Sequence, residues 1–553
     1  MTGVAKGKSR RHTEDWKTIP WKKFERNVFR LQQRIYRAER RGDHKQARNL
    51  QRLLLRSLSA RYLAVRRVSQ DNRGKRTAGV DGVANLTPKQ RLKLAKTLRY
   101  LSSWKPDPIR RVYIPKPGTN DQRGLAIPTM RERAAQMLVK MALEPQWEAK
   151  FEPNSYGFRP GRSTHDAIEA IFKHICHKPK YVYDTDIEKC FDRIDRMALS
   201  SKLNAIQSIT RLVREWLNAG IVDEGKMLFP EEGVPQGSPL SPLLCNVALH
   251  GLESALESVS SKFRIATIKY ADDLVILCED LGTLLEAKRT ANDWLAGIGL
   301  RLKPSKSRVT HTLNEYKGNV GFDFLGFNIR QHRVGQYHTH TYRGKPGFKT
   351  LIKPSKKSCQ KHLDEIRRVI RRHKGAPQEA LIKALNPKIR GWAQYYSTCV
   401  AKKTFTRMDQ QLHHKLYRWA RFRHPKKNSG WCIKRYWRRR ENRNNFGEEP
   451  CWLLNYPDIP IRRHVKVRGD KSPYDGDWPY WVQRLGRDPT KPTRVLNLLK
   501  RQKGKCGICG LRFVAEAVTE VHHWDGNRQN NRYTNLVALH GHCHDEIHGR
   551  RCQ

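Results

Sequence analysis

Near its start the chain places apolar residues every three to four positions: Phe29, Leu31, Ile35 and Tyr36 stand among Arg, Gln and Glu. That spacing predicts helix with one buried stripe, and Leu53, Leu54, Leu55 and Leu58 are expected to continue it. From about residue 70 the pattern changes. A loop rich in Gly and basic residues, NRGKRTAGVDGV, gives way to short strand-like runs (RRVYIPKP, KYVYDTDI, LVILCE) set between helical stretches as far as about Arg330. From Pro354 the helical period returns, first through Leu363, Ile366 and Ile370, then through Leu381, Leu385, Ile389 and Trp392. Beyond Trp431 no period survives. The chain there is aromatic, basic and punctuated by Pro and Gly, as expected of a linker or small adaptor.

These changes predict a multidomain α+β chain with five regions. Residues 1–69 form a basic helical extension, 70–350 a mixed α/β body, 351–430 a helical domain, 431–495 a basic linking segment, and 496–553 a small terminal unit rich in Cys and His. A length of 553 residues exceeds what one core organises, in keeping with this division.

Charge narrows the function. The chain has 109 Lys and Arg against 52 Asp and Glu, a formal net charge of +57. An isolated compact protein would repel itself at that excess, so a polyanionic partner is expected. The basic residues run from end to end, which fits an extended nucleic-acid surface rather than one basic tail. No apolar run is long enough to span a bilayer, so no membrane partner is expected. The start of the chain lacks the apolar segment of a secretion signal. Most of the 12 cysteines stand alone, against a secreted disulfide framework. An intracellular protein is expected.

The segment IKYADDLVIL sets Asp272 and Asp273 between apolar runs. A turn between two strands would accommodate them. So would a metal site: with Asp186, at the end of the run YVYDTD, they make three carboxylates from two strand ends. Hard oxygen ligands of this kind suit two Mg²⁺ ions about 4 Å apart, which can activate a 3′-hydroxyl and stabilise a leaving pyrophosphate. In the second reading the ions relieve a repulsion that would otherwise be costly.

The order of Asp186 with Phe191, then VPQGSPLSPLLCNVALHGLE, YADD, LRLKPSKSRV and FDFLGF resembles a reverse transcriptase palm. The upstream RRVYIPKPGTNDQRGLAIPTMRERAAQ and SYGFRPGRSTHDAI bring the resemblance closer to the group II intron-encoded proteins, which join a reverse transcriptase to a maturase. It implies right-hand fingers and palm over 70–350, a thumb or maturase domain X over 351–430, and a DNA-binding segment over 431–495. It implies metal-binding roles for Asp186, Asp272 and Asp273, and a sugar-facing, 2′-OH-rejecting role for Phe191. Lys116 and Arg123 would grip the incoming triphosphate, Gln236 and Gly237 would line the nucleotide and template, and Lys306 would assist the leaving pyrophosphate. Arg, Lys and aromatic residues in NPKIRGWAQYY and YRWARFRHP would meet structured RNA, unless Trp392, Tyr395 and Tyr396 are thumb core.

In the terminal unit, CGIC (Cys506, Cys509) and LHGHCH (His540, Cys543) read as two halves of a structural Cys₃His zinc site. His540 stands where a cysteine is commoner. Between and after them, EVHHWDG, NRYTNLVALH and HDEIH resemble an HNH nuclease, a β-hairpin and helix around one divalent ion, with Mg²⁺ expected. His523 would be the general base. His522, His544 and His548 would be ligands, and Asn535 would buttress the hairpin and position His523 by a backbone bond. The resemblance implies dNTPs, intron RNA and double-stranded target DNA as partners, in a bacterial cytoplasm or an organelle. The course implied is splicing assistance, second-strand cleavage and cDNA synthesis from the new 3′ end. Two other classes compete: an RNA-binding splicing factor with idle catalytic sites, and a cellular reverse transcriptase not tied to an intron.

Overall fold

The computed structural model describes residues 15–115, 122–335, 347–489, 491–513 and 518–548. At its centre lies a four-stranded sheet of β3 (Tyr181–Asp186), β6 (Ala266–Tyr270), β7 (Asp273–Cys278) and β8 (Arg308–His311), in the order β6-β7-β3-β8 and wholly antiparallel. Strand alternation divides its side chains between two cores. Tyr183, Leu274 and Ile276 join the core on one face, whereas Val182, Val275 and Leu277 join the core on the other.

The first core is covered by helices Met130–Glu148 and Leu281–Ala296, and by the N-terminal helices Trp21–Arg40, His44–Arg56 and Leu58–Arg66. Residues 15–69 are therefore part of the body, not the appended extension the sequence suggested. Ile35 and Leu54 are fully buried, but Leu53 and Leu58 are about half exposed. Consecutive leucines point 100° apart on a helix and cannot share one stripe, so Leu54 alone of the 53–55 run is fully buried.

The second core joins the sheet to three long helices, Lys356–Arg372, Gln378–Tyr395 and Lys402–Arg423. A three-stranded sheet of β9 (Phe322–Phe324), β10 (Phe327–Arg333) and β11 (Phe348–Pro354) leads into them. Tyr395 and Tyr396 donate hydrogen bonds to the carbonyls of Leu325 and Gly326, and Trp392 stacks on His362. These aromatic residues are helical-domain core.

A separate sheet, β2-β1-β4-β5, holds the β1 (Ile109–Pro115) and β2 (Gln122–Ile127) hairpin beside the shorter β4 (Ile221–Asp223) and β5 (Lys226–Leu228).

The 431–495 segment is not a loose connection. Strands β12 (Trp437–Arg440), β13 (Arg443–Glu448) and β14 (Cys451–Trp452) pack Trp437 and Phe446 on the helical domain. Tyr456, Val467 and Trp481 are buried in the same core. Polar, Pro-rich composition hid this order, because a few large aromatic side chains supply the burial. The chain ends in a hairpin of β15 (Thr519–His523) and β16 (Leu536–His540) followed by helix Gly541–Ile547, with its own small core of Val495, Leu498, Leu499, Phe513 and Leu539.

Candidate functional site

The two aspartates occupy a two-residue turn and the strand that follows it. Tyr270 pairs with Asp273, so Ala271 and Asp272 form the tip of the β6–β7 hairpin. Ala271 has φ 58°, the left-handed backbone that tight hairpins demand at a turn position. The Asp272 carbonyl accepts the Ile187 amide at 2.9 Å, which ties this tip to the end of β3. In register, Asp186 lies directly opposite Asp273. Turn and carboxylate cluster are thus the same feature.

Asp184 precedes Asp186 by two residues and shares its face, a placement legible in the D-x-D spacing of YDTD though not singled out from sequence. Burial pushes the Asp273 carboxyl up to about 7, with the charges of Asp272 and Asp184 adding to the effect. Burial also raises Asp184 to about 6, opposed by Arg308. Such a cluster stabilises a bound cation. The donor set is all oxygen and fits Mg²⁺, which Asp186, Asp272 and Asp273 would hold. Their oxygens are not gathered within 4.8 Å of one another, unlike the two C-terminal clusters described below. Lys306 forms an ion pair with Asp186, which sets it at this end of the sheet.

Around this end stand the other residues singled out from sequence. Phe191 is half-buried in a short turn of helix after β3; its carbonyl accepts the Val234 amide at 2.6 Å. The Gln236 carbonyl accepts the Ala126 amide at 2.7 Å, joining the 236–237 loop to β2. Gly237 has φ 127°, and a Cβ there would meet the Ala126 carbonyl oxygen at 2.6 Å, so the close approach requires glycine. Arg123 is exposed on the same hairpin, opposite Ile114. Lys116 lies outside the described residues.

At the C-terminal end, the ligand atoms of Cys506, Cys509, His540 and Cys543 all lie within 4.8 Å of one another, as do those of His522, His544 and His548. Cys509 Sγ and His540 Nδ1 are 3.4 Å apart. Contacts with Cys506 and Cys543 hold the Cys509 thiol far below its ordinary range, and contacts with Cys506 and Cys509 push the Cys543 thiol far above its own. Soft sulfur donors packed with an imidazole suit zinc. In the histidine cluster, His522 Nδ1 and His548 Nε2 are 3.2 Å apart. Glu520, not anticipated from sequence, pairs with His544 Nδ1 at 2.9 Å.

His523 points to the opposite face of β15 from His522 and is outside that cluster. Its buried Nε2 has no hydrogen-bond partner among the described residues. Asn535 braces the turn of the β15–β16 hairpin. Its side chain accepts from the Asp525 amide at 3.0 Å and donates to Asp525 Oδ1 at 2.8 Å, while its carbonyl accepts from Trp524. It fixes the residues following His523 rather than His523 itself, because the β15–β16 register pairs His523 with Leu536.

Residues 114–329 match the family described as reverse transcriptase (RNA-dependent DNA polymerase), residues 16–98 the N-terminal domain of reverse transcriptase, and residues 359–437 the group II intron, maturase-specific domain. Protein YkfC of Escherichia coli is 32% identical over 51% of this chain and 84% of its own length. Group II intron-encoded protein LtrA of Lactococcus lactis is 34% identical over 35% of this chain, but only 33% of LtrA is covered. Maturase-like protein 1 of Euglena gracilis is 27% identical over 68% of this chain and 76% of its own length. The three matched regions follow one another along the chain, and the chain belongs to the group II intron reverse transcriptase/maturase family.

Proposed function

We propose that this chain copies RNA into DNA at the aspartate hairpin, assists the splicing of its intron RNA through the helical domain, and cuts target DNA with its C-terminal unit. The observation that carries the first part is the pairing of Asp186 with Asp273 beside the Asp272 turn. Bound Mg²⁺ ions, two in number, would supply Lewis-acid stabilisation of the transferring phosphoryl group. The chain's own residues do the positioning. Phe191 faces the sugar, Gln236 and Gly237 flank the nucleotide and template, Lys116 and Arg123 bind the triphosphate, and Lys306 serves the leaving pyrophosphate. Substrates are dNTPs.

The C-terminal unit is read as an HNH nuclease. Cys506, Cys509, His540 and Cys543 would hold a structural zinc ion, and His522, His544 and His548 one divalent ion, Mg²⁺ being the choice. His523, outside the ligand cluster with a buried imidazole nitrogen unpartnered, takes a proton from the attacking water. Double-stranded DNA is its substrate, and the 3′ end it makes primes cDNA synthesis. The charge of +57 supports intron RNA as the standing partner. The intracellular setting is a bacterial cytoplasm or an organelle; no described helix is long and apolar enough to cross a membrane.

The test is primer extension by the purified chain on an RNA template with dNTPs and Mg²⁺, beside Asp272→Ala. Extension by the unaltered chain and none by the variant is expected. Absence of extension by the unaltered chain would overturn the copying part of this reading.

A further inference from the structure

We propose that Phe158 is a positioning residue for sugar selection: its ring braces Phe191 and so sets how strongly the polymerase prefers deoxyribonucleoside over ribonucleoside triphosphates. The inference rests on the reading of the palm as a DNA polymerase and of Phe191 as the sugar-facing side chain.

The loop that opens at Asn154 is held to the β6–β7 hairpin along Asn154–Gly157, and beyond it Arg159 is anchored to the helix and loop that precede it. The Lys269 amide donates to the Asn154 carbonyl at 3.0 Å, and the Tyr156 amide donates to the Lys269 carbonyl at 2.9 Å. Gly157 lies so close to the turn that a Cβ there would meet the Ala271 nitrogen at 2.3 Å. Its carbonyl accepts from the buried side chain of Asn246 at 2.9 Å. Arg159 is buried, bonding both oxygens of Glu148 at 2.8 and 3.0 Å and the carbonyls of Glu152 and Ser155.

Between these anchors Phe158 is the exception. Its backbone has φ 59°, a conformation that bulky side chains rarely adopt, and its ring is 45% exposed while Tyr156, Gly157 and Arg159 are buried. Glycine would meet the backbone demand without strain, so the ring is retained at a cost that its modest burial does not repay. Strain of this kind, fixed by over-determined surroundings, is the pattern seen where a side chain serves a site. Among the described residues, the one aromatic contact of Phe158 is with Phe191, edge to face, with centroids 6.0 Å apart and planes at 75°. Phe191 itself is held by its backbone: the Gly233–Val234 turn packs against its carbonyl. Its ring packs against the first core, and Phe158, which follows the Gly157 that abuts Ala271, adds the edge-to-face contact on it. An aromatic wall rejects a 2′-hydroxyl only if it cannot retreat, so a brace behind it controls the rejection.

The experiment compares Phe158→Ala, Phe158→Gly and Phe158→Tyr with the unaltered chain. It measures kcat and KM for a dNTP and its matching rNTP in primer extension, together with the unfolding temperature of each protein. The Ala and Gly variants are expected to lose about tenfold or more of the preference for the dNTP, through rNTP incorporation gained while dNTP kcat is kept. The Tyr variant, which restores the ring, should keep the preference. Phe158→Gly also relieves the left-handed backbone, so it should melt no lower than Phe158→Ala. An unaltered preference in an active Gly variant overturns the proposal. So does a KM raised equally for both nucleotides, which would assign the ring to stacking on a base. No extension by the unaltered chain refutes the polymerase reading instead.

Discussion

At the scale of single residues, the site turns on backbone positions as much as on carboxylates. Removing the Asp272 carboxylate takes away the oxygen that the proposal gives to a cation at the hairpin tip, without altering basic surface. Asp272→Ala is therefore expected to abolish cDNA synthesis while RNA affinity, read from a binding titration, stays near its original value. Gly157→Ala should do similar harm by a different route. The added methyl group would press on the Ala271 nitrogen, backbone that cannot swing aside, so the catalytic turn must move. A loss of about 1–3 kcal/mol in unfolding free energy and a sharp fall in polymerisation are expected. Normal extension by the Gly157→Ala protein would show that the turn tolerates displacement. The aspartates were legible in sequence because two adjacent carboxylates between apolar runs conflict with burial and ask for a cause. Gly157 was not, since its constraint comes from a segment more than a hundred residues away. Phe158 was equally silent: only its backbone angle and its contact with Phe191 set it apart from any loop aromatic.

At the scale of elements, the segment after the helical domain is clasped to the central body by Asp166, near the start of helix Thr164–Ile175. Asp166 is wholly buried and accepts from His464 Nε2 at 3.1 Å, Arg484 at 2.5 Å and the Val467 amide at 2.8 Å. Burial alone would raise its carboxyl, but the hydrogen bond from His464, the Arg484 charge and the Val467 amide outweigh it and hold the group far below the usual carboxylate range. The folded state thus favours the ionised form. Its stabilisation is complete above the ordinary carboxylate pKa near 4 and is lost as pH falls through the acid range below it. Asp166→Ala should cost about 3–5 kcal/mol, as removal of one partner from a buried ionic cluster does, and should flatten the acid limb of stability against pH. An unchanged acid limb in thermal unfolding would deny the clasp this role. The sequence marked 431–495 as irregular because its partners are distant; periodicity reports only contacts that an element repeats along itself. The terminal unit was more legible, since metal-ligand spacing is local. Its docking was not: Arg512 lies over Trp478 at 3.8 Å, and His542 meets Asp71 at 2.9 Å. Cys506→Ser is expected to abolish zinc binding and loosen the C-terminal unit, read as lost zinc content and faster hydrogen exchange over 505–548. Polymerisation should persist, because the sheet bearing Asp186 has its own cores.

For the whole molecule, charge and modularity make separate demands. With a charge of +57, each phosphate neutralised on RNA should release roughly 0.7–0.9 counterions, so intron-RNA affinity is expected to fall steeply as salt rises. A dissociation constant that stays flat across a salt titration would remove electrostatics as the source of binding. Modularity is tested by His523→Ala. The central sheet and the terminal hairpin belong to different cores, and His523 lies on the strand face away from the histidine cluster. On the proposed reading its loss removes the proton acceptor, while Cys506, Cys509, His540 and Cys543, and the set of His522, His544 and His548, keep their places. General-base removal typically lowers a rate on the order of 10²–10⁴-fold, enough to suppress cleavage of target DNA. The proposal rests splicing assistance on the basic surface and polymerisation on Asp186 and Asp272, so both should continue when a primer is supplied. Insertion into double-stranded DNA should then fail for want of a 3′ end, and a target nicked beforehand on the second strand should restore it. Three assays on one variant distinguish the outcomes: undiminished cleavage would show that another group accepts the proton, and loss of splicing and extension together would show that the terminal unit, through the contacts of His542 with Asp71 and of Arg512 with Trp478, is part of the polymerase's own support.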